Sequence, residues 1–147
     1  MRGAHEHRPP RDTFPMHAWV EHTAELELRI EAPEAEAVFA EALAALAELL
    51  DDGDAEAGER VERDVELEAP DLPALLAAWI DELAYLAETE DLVPLAARRL
   101  ELDGCRLAAT VAGRRGVPRH LVKGATYHRL AFGHEGERYV ATVVLDV

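Results

Sequence analysis

Three short segments carry the side chains best suited to chemistry. His22-Thr23-Ala24-Glu25 leads into a well-patterned strand, Val122-Lys123-Gly124-Ala125-Thr126-Tyr127-His128 holds the single lysine, and Ala141-Thr142-Val143-Val144-Leu145-Asp146-Val147 closes the sequence. Asp146 beside a free α-carboxylate on Val147 would concentrate hard anionic oxygens of the kind that calcium and magnesium prefer. The same residues admit a plainer reading, with Glu25 as the polar alternate of its strand and Asp146 as an edge residue in water. Fourteen of the fifteen basic residues are Arg and one, Lys123, is Lys. A site that needs a compact ammonium cannot accept a guanidinium in its place; chance survival of one lysine accounts for the count equally well. Other catalytic signatures are missing. The chain has no serine, which excludes a serine nucleophile. It has no Gly-rich phosphate loop, nucleophile elbow or His-x-x-x-His pair. Cys105 follows the turn residue Gly104 and reads as a small hydrophobe rather than a nucleophile.

The elements that must position these segments follow from hydrophobic periodicity. Ala24, Leu26, Leu28 and Ile30 alternate with Glu25, Glu27, Arg29 and Glu31, which predicts a half-buried strand. Pro33 is expected to open a helix that runs to Leu50, with Glu34 and Glu36 in its first turn and Phe39, Leu43, Leu46 and Leu50 as its buried stripe. Val61, Val65 and Leu67 mark a second strand. A second helix is expected from Asp71, as N-cap, to Glu88, with Pro73 just inside and a wide face of Leu72, Leu75, Leu76, Trp79, Ile80, Leu83 and Leu86. Asp81, Glu82 and Glu88 then fall on its wet side. Two hairpins complete the chain, one around Asp103-Gly104 and one around Gly133 to Gly136. The order predicts an α+β fold with two helices packed on a mainly antiparallel β-sheet. Residues 1–15 read as a flexible N-terminal tail and 16–147 as a single domain.

Composition narrows the function classes. A chain of 147 residues that is 49% hydrophobic is expected to form one folded core. No apolar run approaches the length of a membrane span, and the N-terminus has no apolar region of a secretory signal behind its charges, so a cytoplasmic protein is expected. The formal net charge of −15 repels phosphate backbones. Arg114, Arg115 and Arg119 form only a small basic loop patch, so tight direct binding of nucleic acid is not expected. The acidic stretch Asp51 to Gly58 lacks the regular ligand array of a calcium loop and reads as a solvated linker. The acidity itself fits solubility, a basic protein partner or a cation.

Taken together, His22-Thr23-Ala24-Glu25, Trp79-Ile80-Asp81-Glu82-Leu83-Ala84-Tyr85-Leu86, Val122-Lys123-Gly124-Ala125-Thr126-Tyr127-His128 and the ending Leu145-Asp146-Val147 resemble the archease family, in order and spacing, from about Met16 to Val147. The resemblance implies an accessory protein, not an enzyme, that activates the RNA-splicing ligase of tRNA splicing and RNA repair. Such a protein promotes guanylylation of the ligase by GTP and lets it turn over repeatedly. It also implies a divalent-cation site built from Glu25, Asp146 and the terminal Val147, and a ligase-activating surface with Lys123, Thr126, His128 and His22. Glu25 stands where the family carries Asp; the longer side chain suits the flexible shell of calcium better than the strict octahedron of magnesium. Two other classes are weighed against this one. A chaperone-like modulator of a tRNA methyltransferase would suit an acidic partner-binding protein. A small metal-dependent hydrolase using Glu25, His22, His128 and Asp146 would lack both a nucleophile and a full ligand set.

Overall fold

A computed structural model describes residues 14–22, 25–51, 53 and 58–147, with His22 described by its backbone alone. Most of the expected tail, Thr23-Ala24 of the first motif, and residues 52 and 54–57 of the acidic loop lie outside this set. The alternating segment forms β2 (Glu25–Ala32), preceded by β1 (Met16–His22) and followed by helix α1 (Ala35–Leu50). Strand β3 (Arg60–Glu68), helix α2 (Leu72–Thr89), and strands β4 (Leu92–Asp103), β5 (Arg106–Arg115), β6 (Gly124–Glu135) and β7 (Arg138–Asp146) complete the order. The α+β class stands, and the strands divide between two antiparallel sheets, β1-β2-β7-β6 and β3-β5-β4.

Both helices pack against both sheets. Helix α1 touches β2 of the first sheet and β4 of the second, while α2 touches β6, β4 and β3. One continuous core results, in which Leu28, Phe39, Leu43, Leu46, Leu76, Trp79, Leu83 and Val143 are all buried. The Trp79 indole would be costly to bury without a partner. It donates to the Phe39 carbonyl at 2.9 Å and so ties α2 to α1.

Helix ends differ from one another in an instructive way. Asp71 caps α2 through its side chain, accepting the Ala74 N–H at 2.9 Å, with Pro73 in the first turn. At α1 the helix starts two residues later than its proline implied: Glu34 is the N-cap in extended conformation and makes no side-chain cap bond. Pro33 therefore stands outside the helix, as a stop on the preceding strand.

Strand β1 was not legible as a strand, because its residues do not alternate cleanly. It pairs with β2 from Met16↔Glu31 to His22↔Glu25. A polar clamp also holds it to α1: His17 Nδ1 lies 2.6 Å from Glu41 Oε2 and its Nε2 lies 3.2 Å from Glu48 Oε1. Carboxylates only accept, so both bonds together require the imidazolium. Burial opposes that charge and is the largest influence, yet the hydrogen bonds and negative charges of Glu41 and Glu48 outweigh it and raise the His17 pKa above its ordinary value. The basic patch expected at Arg114, Arg115 and Arg119 is not formed. Arg114 is buried and ion-paired with Asp51 at 2.8 Å, and Arg115 faces Glu59 at 3.3 Å.

Candidate functional site

Register, not proximity in sequence, assembles the site. Antiparallel pairing places His22 across from Glu25, Glu25 across from Asp146, and Asp146 across from Gly124. One row therefore crosses all four strands of the first sheet and gathers residues from both ends of the domain. Directly opposed residues in such ladders have Cα atoms about 4.5–5.5 Å apart and side chains on one face. Glu25 and Asp146 thus share the outer face, since Leu28, Ile30, Ala141, Val143 and Leu145 point into the core from the other.

Lys123 joins the row through its backbone, whose N–H donates to the Asp146 carbonyl at 2.8 Å. The next residue is glycine for two reasons. Gly124 has φ +156°, and a Cβ there would sit 3.0 Å from Asp81 Oδ1. That same Asp81 oxygen accepts the Ala125 N–H at 2.7 Å. Asp81, expected only to face water, in fact fixes the start of β6 to α2. The Lys123 side chain is exposed and borders a cleft with Asp81, Glu82, Tyr85 and Glu88, all on α2. A second cleft lies beside Glu25 and Val147, with Trp19, Leu49 and Leu121 as apolar walls. Lys123 and Glu25 therefore occupy one end of the sheet but open onto different clefts.

Thr126 and His128 continue along β6. Thr126 pairs with Val144, one step inward of Asp146 on the same face, and its Oγ1 accepts the His128 N–H at 3.3 Å. His128 meets its neighbour, with its Nε2 accepting from Arg129 Nη1 at 2.8 Å. The ladder then breaks: the next pair is Ala131↔Thr142, so five steps along β6 match two along β7. Arg129, inside this excursion, has φ +59°. Its guanidinium reaches across β7 to β2, 3.5 Å from Glu25 Oε1 and 3.4 Å from Glu27 Oε1. Glu27 is only 4% exposed and also accepts from Arg29 at 2.6 Å. Sequence reading missed Asp81, Glu27 and Arg129. Asp81 lay within a quoted motif, whereas nothing in the pattern marked a bulge at Arg129.

The donor chemistry of the row fits a hard cation: two carboxylates on one face, at adjoining strand ends, with the last residue of the chain beside them. Among the described residues no group of three or more His, Cys, Asp or Glu side chains converges as a metal cluster. Main-chain oxygens and water are further ligands open to a cation here. Such a mixed oxygen shell is ordinary for calcium.

Two antiparallel sheets with two helices packed against both, and two carboxylates opposed at one sheet end, define a small α+β domain. Known proteins agree on which. The model of the Archease protein family (MTH1598/TM1083) matches residues 17–147, and the chain belongs to that family. It is 34% identical to the archease of Methanopyrus kandleri over 137 residues, which is 87% of this chain and 96% of the relative. It is 30% identical to that of Methanosarcina mazei over 138 residues, 88% of this chain and 94% of the relative. The solution structure of Methanobacterium thermoautotrophicum protein 1598 superposes with a TM-score of 0.70 at 26% identity, covering 89% of this chain and 98% of that one. A crystal structure from Thermotoga maritima, described as an archease and possible chaperone, has the same fold, with a TM-score of 0.61 at 24% identity over 90% of this chain and 98% of that one.

Proposed function

We propose that this protein is a non-enzymatic activator of an RNA-splicing ligase, promoting its GTP-dependent guanylylation and repeated turnover. The observation that carries this reading is the row His22–Glu25–Asp146–Gly124, which brings three separate motif segments of an archease to one sheet end. Glu25 and Asp146, with Val147 beside them, hold a divalent cation, for which calcium fits best. Lys123, Thr126, His128 and His22 form the surface presented to the ligase. A helper can raise guanylylation only by binding the competent arrangement of the ligase better than the idle one. An exposed ammonium at the same sheet end as the carboxylates is a means of doing so, because it offers both charge signs to one partner.

The test is single- and multiple-turnover ligation with a cognate ligase, GTP and manganese, with and without this protein. Lys123→Arg keeps the charge but changes its shape and hydration, and should lower stimulation by roughly an order of magnitude, about 1.4 kcal/mol of coupling. Asp146→Ala should lower it comparably. Both side chains are exposed, so neither change should shift stability by more than about 0.5 kcal/mol. Absence of any stimulation by the wild-type protein would favour the second reading, a chaperone-like modulator of another RNA-processing enzyme such as a tRNA methyltransferase. The exposed Tyr85, Val117, Leu121 and Tyr127 are the side chains that such a role would use.

A further inference from the structure

We propose that Arg129 is a built-in counter-cation of the Glu25–Asp146 site, paired with Glu25 and withdrawing when a divalent cation binds. The proposal rests on the reading of Glu25 and Asp146 as cation ligands. It starts from an oddity of the backbone. Arg129 holds φ +59° inside a strand, a conformation that costs a non-glycine residue energy unless its surroundings enforce it. The enforcing feature is the excursion between Thr126 and Ala131, which lifts the chain off the ladder. A regular strand would keep an arginine here over its own neighbours. The excursion instead lets the side chain cross β7 and end at β2, between Glu25 and Glu27. Val144 lies on this outer face between the two strands and is fully buried, as a residue beneath such a crossing must be.

Charge sets the two occupants in competition for Glu25. A calcium ion bound to Glu25 would sit about 2.4 Å from its oxygen, while the guanidinium nitrogen is 3.5 Å from Oε1 of the same carboxylate. Two cations so close repel strongly in a partly buried setting. Arg129 also has somewhere to go. It retains a bond to His128 Nε2 at 2.8 Å, and Glu27 retains Arg29 at 2.6 Å when Arg129 leaves. Withdrawal therefore strands neither partner. The consequence is a site whose affinity is set by competition within the chain, weak enough to release its cation and with its charge balanced when it does.

Calcium titration by calorimetry tests this without any ligase. Arg129→Gly removes the side chain at a φ that glycine adopts freely, and Arg129→Gln keeps a polar side chain without charge. Each variant should bind calcium tighter than the wild type by about tenfold or more, in the range of couplings between competing occupants. In the wild type, the Arg129 side-chain Nε–H resonance should shift as calcium is added. Equal or weaker binding by both variants, with an unmoved Arg129 resonance, would overturn the role of Arg129 and leave the cation site standing. No calcium binding by wild type or variants, or binding that Glu25→Gln leaves unchanged, would overturn the cation site itself and this proposal with it.

Discussion

The carboxylate of Asp81 accepts the Ala125 N–H one residue past the glycine that follows Lys123, so a side chain of α2 decides where a strand of the opposite layer begins. Charge-assisted bonds to backbone amides are among the stronger ones, and losing this one leaves a half-buried N–H without its acceptor. Asp81→Ala should lower stability by about 1 kcal/mol and speed hydrogen exchange at the Ala125 amide, measured by urea unfolding and by NMR. Asp81→Asn keeps an acceptor oxygen and should restore most of both. If Asp81→Ala leaves the Ala125 amide as protected as before, the carboxylate does not hold the Lys123 segment.

At the scale of elements, β1 is an edge strand paired with β2 and tied to α1 by one titratable clamp. His17 is 17% exposed at its side chain and reaches two carboxylates on α1, one near its middle and one near its end. Its folded pKa is raised above the ordinary 6.5. A raised value means that the folded state binds the proton more tightly than the unfolded chain. The stabilisation is therefore complete below 6.5 and is lost as pH climbs through the raised value. Thermal melts of wild type and His17→Gln should differ most at mildly acidic pH and converge toward alkaline pH. A constant gap across that window would show that the ring acts by packing alone. The other tie between elements, Trp79 to the Phe39 carbonyl, joins two groups that do not titrate in this window and should be indifferent to the same change.

Over the whole molecule, the net charge of −15 is the dominant long-range property. Under the proposed role the partner is a ligase whose surface, built to hold RNA, is basic, so attraction between the two would raise the rate of encounter. Stimulation of guanylylation at limiting concentrations of this protein should fall as salt rises from about 0.05 to about 0.5 M, as the screening length shrinks. Saturating protein should recover much of the loss, because steering acts on association more than on the bound complex. Salt-independent stimulation at limiting concentration would remove steering from the account. The acidity also has an internal side: the described arginines Arg29, Arg63, Arg98, Arg114, Arg129 and Arg138 all face carboxylates, which holds down repulsion within the fold.

What the sequence determined by itself is whatever depends on short-range periodicity and on local chemistry. The alternation of β2, the apolar faces of both helices, the Asp71 cap and the Asp103-Gly104 hairpin all follow from neighbours within a few residues. So does the burial of Phe39, Trp79 and Val143. The candidate residues Glu25, Lys123 and Asp146 could be named because their types and the family motif mark them, wherever they fold. Only the tertiary structure decided that these three lie at one sheet end, because β2 and β7 pair across more than a hundred residues and register leaves no local trace. The division into two sheets, the service of Asp81 to β6 and the reach of Arg129 were likewise invisible. Each depends on which non-local surface an element meets, and a helix or strand of given pattern is compatible with many such partners. A bulge displaces side chains without altering the residue pattern that encodes the strand, so nothing in the sequence marks the reach of Arg129.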